Sequence, residues 1–484
     1  MSEPRELPRR IVVAGAGQLG VLAAIALKRA VPPCEVLVVA TPPDPAALAD
    51  SAPTALPFTN RLHDRLGIGE ERLVREAGGS HRLVVRYLGW GGAGREGVAA
   101  YGATIDARLK TGFARDWGGG ARGASTAPPP GSLGEVLAGE ARFAPPSGGA
   151  DSPLVDLDYA LRWNVPAYRD LLVGEAQRLG VDYRRGAVGA VRPDGAGGIA
   201  ALAVEGAGGI EADLFVDCTG PAAMLLSQLP EARREDWRGA LPVRGLLYGR
   251  PAEPLLNLED RVTLLPFGWR AELAGRDARH AVMGLRDGTS EAAALAALGA
   301  EPGGMLALEQ GCAAQAWLGN VVALGDAAAH FEPLGWLNLD LAHRQLALLL
   351  ELLPGRRVDP RERAEFNRRA ALMAGRVRDL LGAHYAAPGA AHFGQLERSA
   401  ELARTLDQYT RRGRTPFLEE APLHVQEYSA LLDAIGHRAG EGPLGHAADP
   451  REGEAAAAAF AARARAALQS TPPYAAWLQR ALGG

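Results

Sequence analysis

The sequence predicts an α/β fold: a parallel sheet with a nucleotide-binding turn, β-meander insertions, and a helical C-terminal region. Three observations carry this. An apolar strand at Arg10–Ala14 runs into glycines at GxGxxG spacing and then into a helical pattern. Two later buried-strand patterns, Ala212–Cys218 and Asn320–Leu324, open into the turns Thr219-Gly220 and Gly325-Asp326. Beyond Pro360 the chain is rich in Ala, Arg and Leu and reads as helix to its end.

The first segment is the most informative. Gly15 permits a tight turn, Gly17 lets the backbone approach a pyrophosphate, and Gly20 allows the helix to pack closely on the strand. A helix over Val21–Arg29 and a strand over Glu35–Val39 complete a Rossmann-type βαβ unit, with the phosphate expected on N–H groups at the positive helix end. An acidic residue usually closes the second strand to bind a ribose. Here Val39 is followed by Ala40 and Thr41, and Asp44 lies beyond two prolines.

Further along, Trp90 to Asp151 is a Gly/Pro/Ala-rich stretch, with Pro128 to Pro130 in a row, where no compact strand or helix is placed. It reads as a surface insertion, or as a lid over a pocket. A helix is expected over Tyr168–Leu179, ended by Gly180, followed by short strands around Val181–Val191 and Ile199–Val204. Leu241–Leu285 reads as a meander of strands, and Leu337–Leu353 as a long apolar helix.

Composition bounds the function. A chain of 484 residues, at roughly 150 per domain, suggests about three domains or two large ones. It is 47% hydrophobic and 22% charged, which excludes a disordered chain. A net charge of -4 lacks the basic excess of a nucleic-acid binder. Cys34, Cys218 and Cys312 are too far apart for a metal motif, so no metal is expected, and they fit a reducing, cytoplasmic setting. No uncharged apolar run reaches 18 residues, and the charged N-terminus does not read as a signal peptide, so no membrane partner is expected. Lysine is confined to Lys28 and Lys110; arginine carries the rest of the positive charge.

Three segments together are more specific than any one. GAGQLG at 15–20, ADLFVDCTG at 212–220 and NVVALGDAAAHFEPL at 320–334, with the EFNRR run at 365–369, resemble the flavin-dependent tryptophan halogenases over roughly residues 9 to 390. The resemblance implies an FAD-binding domain over 9–350, carrying the insertion at about 90–152, and a helical substrate-side region over 351–484. It implies FAD, with Gly15, Gly17, Gly20, Gly325 and Asp326 as cofactor-binding residues. It also implies a separate flavin reductase, a hydroperoxyflavin route to hypohalous acid, and a small aromatic substrate next to a lysine and a glutamate.

The chemical positions depart from that family. Gly79 to Tyr87 matches the lysine segment, and Arg82 stands where the lysine is expected; an arginine does not readily lose a proton near neutral pH. Pro333-Leu334 is followed by Gly335 instead of glutamate, and the next two positions, which usually form the halide site, are Trp336 and Leu337. The aromatic barrier motif keeps only Trp269, with Ala271, Leu273 and Ala274 at its other positions. The early flavin loop is Asp50 to Thr54, with only the threonine retained.

Candidate site residues are therefore Arg82 and His330 for catalysis, and Trp269, Trp336, Leu337 and Asn338 for halide or substrate. His330 and its counterpart beside Arg82, His81, also suit a packing role. The expected function is FAD-dependent monooxygenation of an aromatic or indole-type substrate in specialised metabolism. The alternatives are a true halogenase that uses Arg82, and a diverged, non-catalytic flavin-binding protein.

Overall fold

The computed structural model describes residues 6–102, 131–146, 151–206, 208–440 and 450–483, and divides the chain into two units. The first comprises 1–79, 163–239 and 306–378; the second comprises 80–162, 240–305 and 379–484. The division is thus discontinuous: the expected 9–350 and 351–484 segments each contribute to both units. Lys110 and Pro128 to Pro130 lie outside the described residues.

In the first unit, β1 (Arg10–Ala14) is a buried apolar run, as a parallel strand covered on both faces must be. It pairs in parallel with β2 (Glu35–Ala40) on one side and with Leu214–Asp217 on the other. The six-stranded sheet has the order Trp317-Leu318, Val321–Ala323, Leu214–Asp217, β1, β2, Asp182–Arg185. Val321–Ala323, which the motif order suggests as a neighbour of β1, is separated from it by the strand Leu214–Asp217.

Helix α1 (Gln18–Ala30) crosses from β1 to β2 and is buried from Gln18 to Leu27, with Lys28 and Arg29 at its negative end. It packs against the helices Val165–Arg178 and Leu337–Glu351. Glu175, buried in the first of these, accepts from Arg29 and from Arg72, joining three helices through one carboxylate. A one-turn helix, α2 (Leu48–Ser51), and α3 (Phe58–Arg65) follow β2.

The second unit is built on a seven-stranded sheet of order Pro302–Ala307, Val243–Gly249, His280–Arg286, Gly268–Leu273, Glu259–Leu265, Val84–Leu88, Glu96–Ala100. The meander expected over 241–285 supplies four of these strands. The described residues of the Gly/Pro-rich stretch hold regular elements that its composition does not predict. They contribute the strand Glu96–Ala100 and the helix Leu133–Gly139. That helix starts at an N-cap in which Ser132 accepts the Glu135 N–H, while Glu135 reaches back to accept the Gly131 N–H. Its Val136 packs on Ala457, Ala461 and Ala464 of the helix Pro450–Ser470. Among the described residues no helix is long and apolar enough to cross a membrane.

Candidate functional site

The glycine turn between β1 and α1 performs two of its three expected tasks within the protein itself. Gly15 has φ +109°, and a Cβ there would lie 2.2 Å from the Cys218 carbonyl oxygen. A Cβ on Gly20 would lie 2.1 Å from the Gly15 carbonyl oxygen, so that glycine lets helix meet strand. Gly17 keeps its surface bare for a different neighbour. A Cβ there would fall 1.9 Å from the carboxyl carbon of Asp50 and 2.1 Å from both its oxygens. Asp50 Oδ1 accepts the Leu19 N–H, a first-turn amide of α1, at 3.0 Å. Burial pushes the Asp50 carboxyl up to about 7, against the pull of the Leu19 amide; Asp326 adds to the rise and Arg169 opposes it.

Asp326 is fully engaged nearby. Its Oδ2 accepts the Ala49 N–H at 2.7 Å, and its Oδ1 accepts from His330 Nδ1 at 2.9 Å. The backbone ahead of it is fixed by a bond from Gly325 N–H to Gln345 Oε1 at 2.8 Å. Gly325, at φ +61°, faces Leu19 of α1, so this turn and the glycine turn share one region as expected. His330 lies on the short strand Ala329–His330, buried, with its ring tied to Asp326.

The central turn depends on Asp217, which sequence reasoning passed over. Its Oδ1 accepts from the Thr219 N–H and hydroxyl, and its Oδ2 from the Leu225 and Leu226 N–H groups, at 2.6 to 3.1 Å. At the far end of the sheet, Ala40 leaves no carboxylate, and Asp44 is spent on its own loop, accepting the Ala46 N–H.

After Pro333, two consecutive residues are left-handed: Gly335 at φ +75° and Trp336 at φ +60°. The second is unusual for a bulky side chain. The Trp336 N–H donates to the Pro333 carbonyl at 3.1 Å, so this amide closes the turn. Leu337 is buried, and Asn338 Nδ2 donates to the Phe331 carbonyl at 2.8 Å.

In the second unit, Arg82 lies on a two-stranded ribbon, Ser80–Arg82 paired with Ala160–Arg162. It is 0% exposed and donates to Asp260 Oδ2 at 3.1 Å. Arg162 takes the other oxygen of Asp260 through Nε at 3.0 Å and also caps the carbonyls of His81 and Asn257. The Ala274 N–H adds a third donor to that carboxylate. His81 sits in an aromatic cluster of Phe143, Tyr159, Tyr474 and Trp477, with Nδ1 at 3.1 Å from the Tyr474 hydroxyl. Trp269 is fully buried in the seven-stranded sheet, opposite Gly284, where a Cβ would lie 2.5 Å from the indole.

Residues 10–448 match the family model for tryptophan halogenase. The chain belongs to the tryptophan halogenase family. Membership makes it an FAD-dependent oxidoreductase of halogenase-like type. Tryptophan 7-halogenase RebH of Lentzea aerocolonigenes is 24% identical over 413 residues, covering 78% of this chain and 76% of that protein. Two solved structures share the fold. BrvH, a flavin-dependent halogenase from Brevundimonas sp. BAL3, matches with a TM-score of 0.84 at 24% identity, covering 98% of this chain and 99% of that one. Xcc4156, a flavin-dependent halogenase from Xanthomonas campestris, matches at 0.85 and 23% identity, covering 98% of each chain.

The glycine turn and the Gly325-Asp326 turn suit a flavin pyrophosphate and a sugar hydroxyl in residue type, while the ribose carboxylate is missing at Ala40. The surface at Gly17, left bare for a close approach, is held by the chain's own Asp50 in this structure. The predicted site residues divide between the units. Gly15, Gly17, Gly20, Gly325, Asp326, His330, Trp336, Leu337 and Asn338 lie in the first, and Arg82 and Trp269 in the second. Asp50 and Asp217 join the first group; Asp260 and Arg162 join the second.

Proposed function

We propose that this protein is an FAD-dependent oxidoreductase of the halogenase family that transfers oxygen to an aromatic, indole-type substrate and does not transfer halogen. The observation that carries the reading is Arg82. At the position matched to the family's lysine stands a guanidinium that keeps its proton, with its head bound to Asp260 and no exposed surface. Gly335, matched to the glutamate, offers backbone only, and the Trp336 amide beside it is already spent on Pro333. A true halogenase using Arg82 would need that side chain to meet hypohalous acid while it remains tied to a buried carboxylate.

Bound and reduced by a separate reductase, FAD supplies the two electrons for activating oxygen, of which one atom goes to substrate and one to water. The protein's part is to hold and orient. The α1 turn holds phosphate through backbone N–H groups. Asp326 accepts hydroxyl hydrogen bonds, with His330 fixing its orientation through Oδ1. The reading of the protein as a non-catalytic flavin binder is favoured by one observation, the seating of Asp50 on Gly17.

The test is a coupled assay with FAD, a flavin reductase, NADH, oxygen and chloride or bromide, read by mass spectrometry on an indole panel. Oxygenated product without halogen is expected. Halogenated product at the rate of an authentic halogenase would overturn the reading, and no product with any panel member would favour the non-catalytic one.

A further inference from the structure

The stretch Ala47–Ala52 does something that no glycine motif explains. It touches all three turns that a dinucleotide fold reserves for its ligand. Asp50 lies on Gly17 and takes the Leu19 amide. Ala49 donates its N–H to Asp326, 277 residues away in the chain, and its Cβ lies 3.5 Å from the position a Cβ on Gly325 would take. Ala47 lies 3.0 Å from the corresponding position at Gly220. Two adjacent residues thus span from the positive end of α1 to the Asp326 carboxylate.

The chemistry of each contact matches one part of a flavin dinucleotide. A carboxyl group on a first-turn amide, here Leu19, is a counterpart of a phosphate, with a single charge when ionised, drawn there by the same partial charge. A backbone N–H on Asp326 is a donor like a sugar hydroxyl. The segment is also held from beneath. Gln18, 1% exposed, donates through Nε2 to the carbonyls of Ala49 at 2.7 Å and Ala52 at 2.9 Å. Its Oε1 accepts from Trp163 Nε1 at 3.0 Å.

We propose that α2 is a self-ligand of the cofactor site: Asp50 stands in the pyrophosphate position and Ala49 on the ribityl-binding carboxylate, so that FAD enters only by displacing this turn. The inference rests on the family's use of FAD. In this arrangement a fraction of the binding energy goes into releasing α2, and apparent affinity falls by the fraction of molecules that are closed. Removing the Asp50 carboxylate removes one of the two anchors of this segment on α1, while Gln18, the other, and Asp326 still define where it can dock.

The experiment is titration of the full-length apoprotein with FAD, followed by quenching of flavin fluorescence. It is run on the natural chain, on Asp50→Ala and, in case the alanine variant folds poorly, on Asp50→Asn. Hydrogen exchange of residues 44–57 is measured with and without FAD. The expected result is tighter FAD binding by about tenfold or more in both variants, and a rise in exchange over 47–52 when FAD binds the natural chain. Equal affinity in all three proteins, with exchange over 47–52 unchanged or reduced by FAD, would overturn the self-ligand and leave FAD binding standing. No FAD binding by any of the three would overturn both the self-ligand and the flavin assignment.

Discussion

The two units depart from a working halogenase in opposite ways. In the first, the glycine turn is present and a short piece of the chain's own backbone lies on it: Asp50 sits at Gly17 and takes a hydrogen bond from Leu19. In the second, Arg82, which the sequence aligns with the family's lysine, is built into the core through Asp260, Arg162 and the Ala274 amide. To leave its place, α2 gives up the bonds from Leu19 and Gln18 and the one to Asp326, but strands no charge. A buried ion triad cannot be released in that way, because removing Asp260 strands two guanidinium charges in a dry interior. On the proposed reading, cofactor binding is recoverable in this chain and halogen transfer is not.

The sharpest way to break this contrast is to cut the triad. Asp260→Ala leaves two buried guanidinium groups without their shared carboxylate. It is expected to cost about 3–5 kcal/mol of stability in urea unfolding. A loss below about 1 kcal/mol would mean that the triad is not the anchor described here. Gly17→Val addresses the other unit. Its side chain enters the space held by Asp50 and meant for phosphate, so FAD affinity is expected to fall about a hundredfold, or ~2.7 kcal/mol. Circular dichroism should show the fold retained, and equal flavin occupancy would remove Gly17 from the cofactor site.

Arg82→Lys restores the family's residue in type only. The ammonium is expected to stay on Asp260, lowering stability by about 1.5 kcal/mol through loss of the guanidinium contacts. Product analysis with bromide should show no halogenated indole. Appearance of such product would show that the position is open to chemistry after all.

The last prediction concerns protons on Asp50, whose neighbours are Asp326, Arg169 and Cys218. Its carboxyl titrates near 7 in the folded apoprotein, above the ordinary value of 3.8. The folded state thus holds this proton through a pH window in which the unfolded chain has lost it. Stability falls as pH rises from about 4 to 7 and levels off above, by at most ~1.4 kcal/mol for each pH unit. Denaturation of the natural chain and of Asp50→Asn across this window should show the slope only in the natural chain. Parallel curves would place Asp50 in water.

Much of the first unit is legible in the sequence because each step there is local. The apolar run of β1, the spaced glycines and the restart at Glu35 fix strand, turn, helix and strand without help from distant residues. The position of Val321–Ala323 was not legible in this way, because parallel neighbours are chosen through crossovers that leave no mark on the strand. The Gly/Pro-rich stretch hid Leu133–Gly139 because seven residues give too short a period to read, although Ser132 and Glu135 carry a capping signal. Asp50 was readable only as a remnant of a flavin loop. Its role depends on α2 folding back onto α1, a contact across 31 residues that no motif encodes. Arg82 was flagged as a departure, but its burial depends on Asp260, 178 positions away.

The central claim is that this chain directs flavin chemistry to oxygen transfer and away from halogen. The most direct measurement is one reaction mixture holding FAD, reductase, NADH, bromide and ¹⁸O2, with the indole products resolved by mass spectrometry. Product carrying one ¹⁸O atom and no bromine is the predicted result. Brominated product free of ¹⁸O would contradict it.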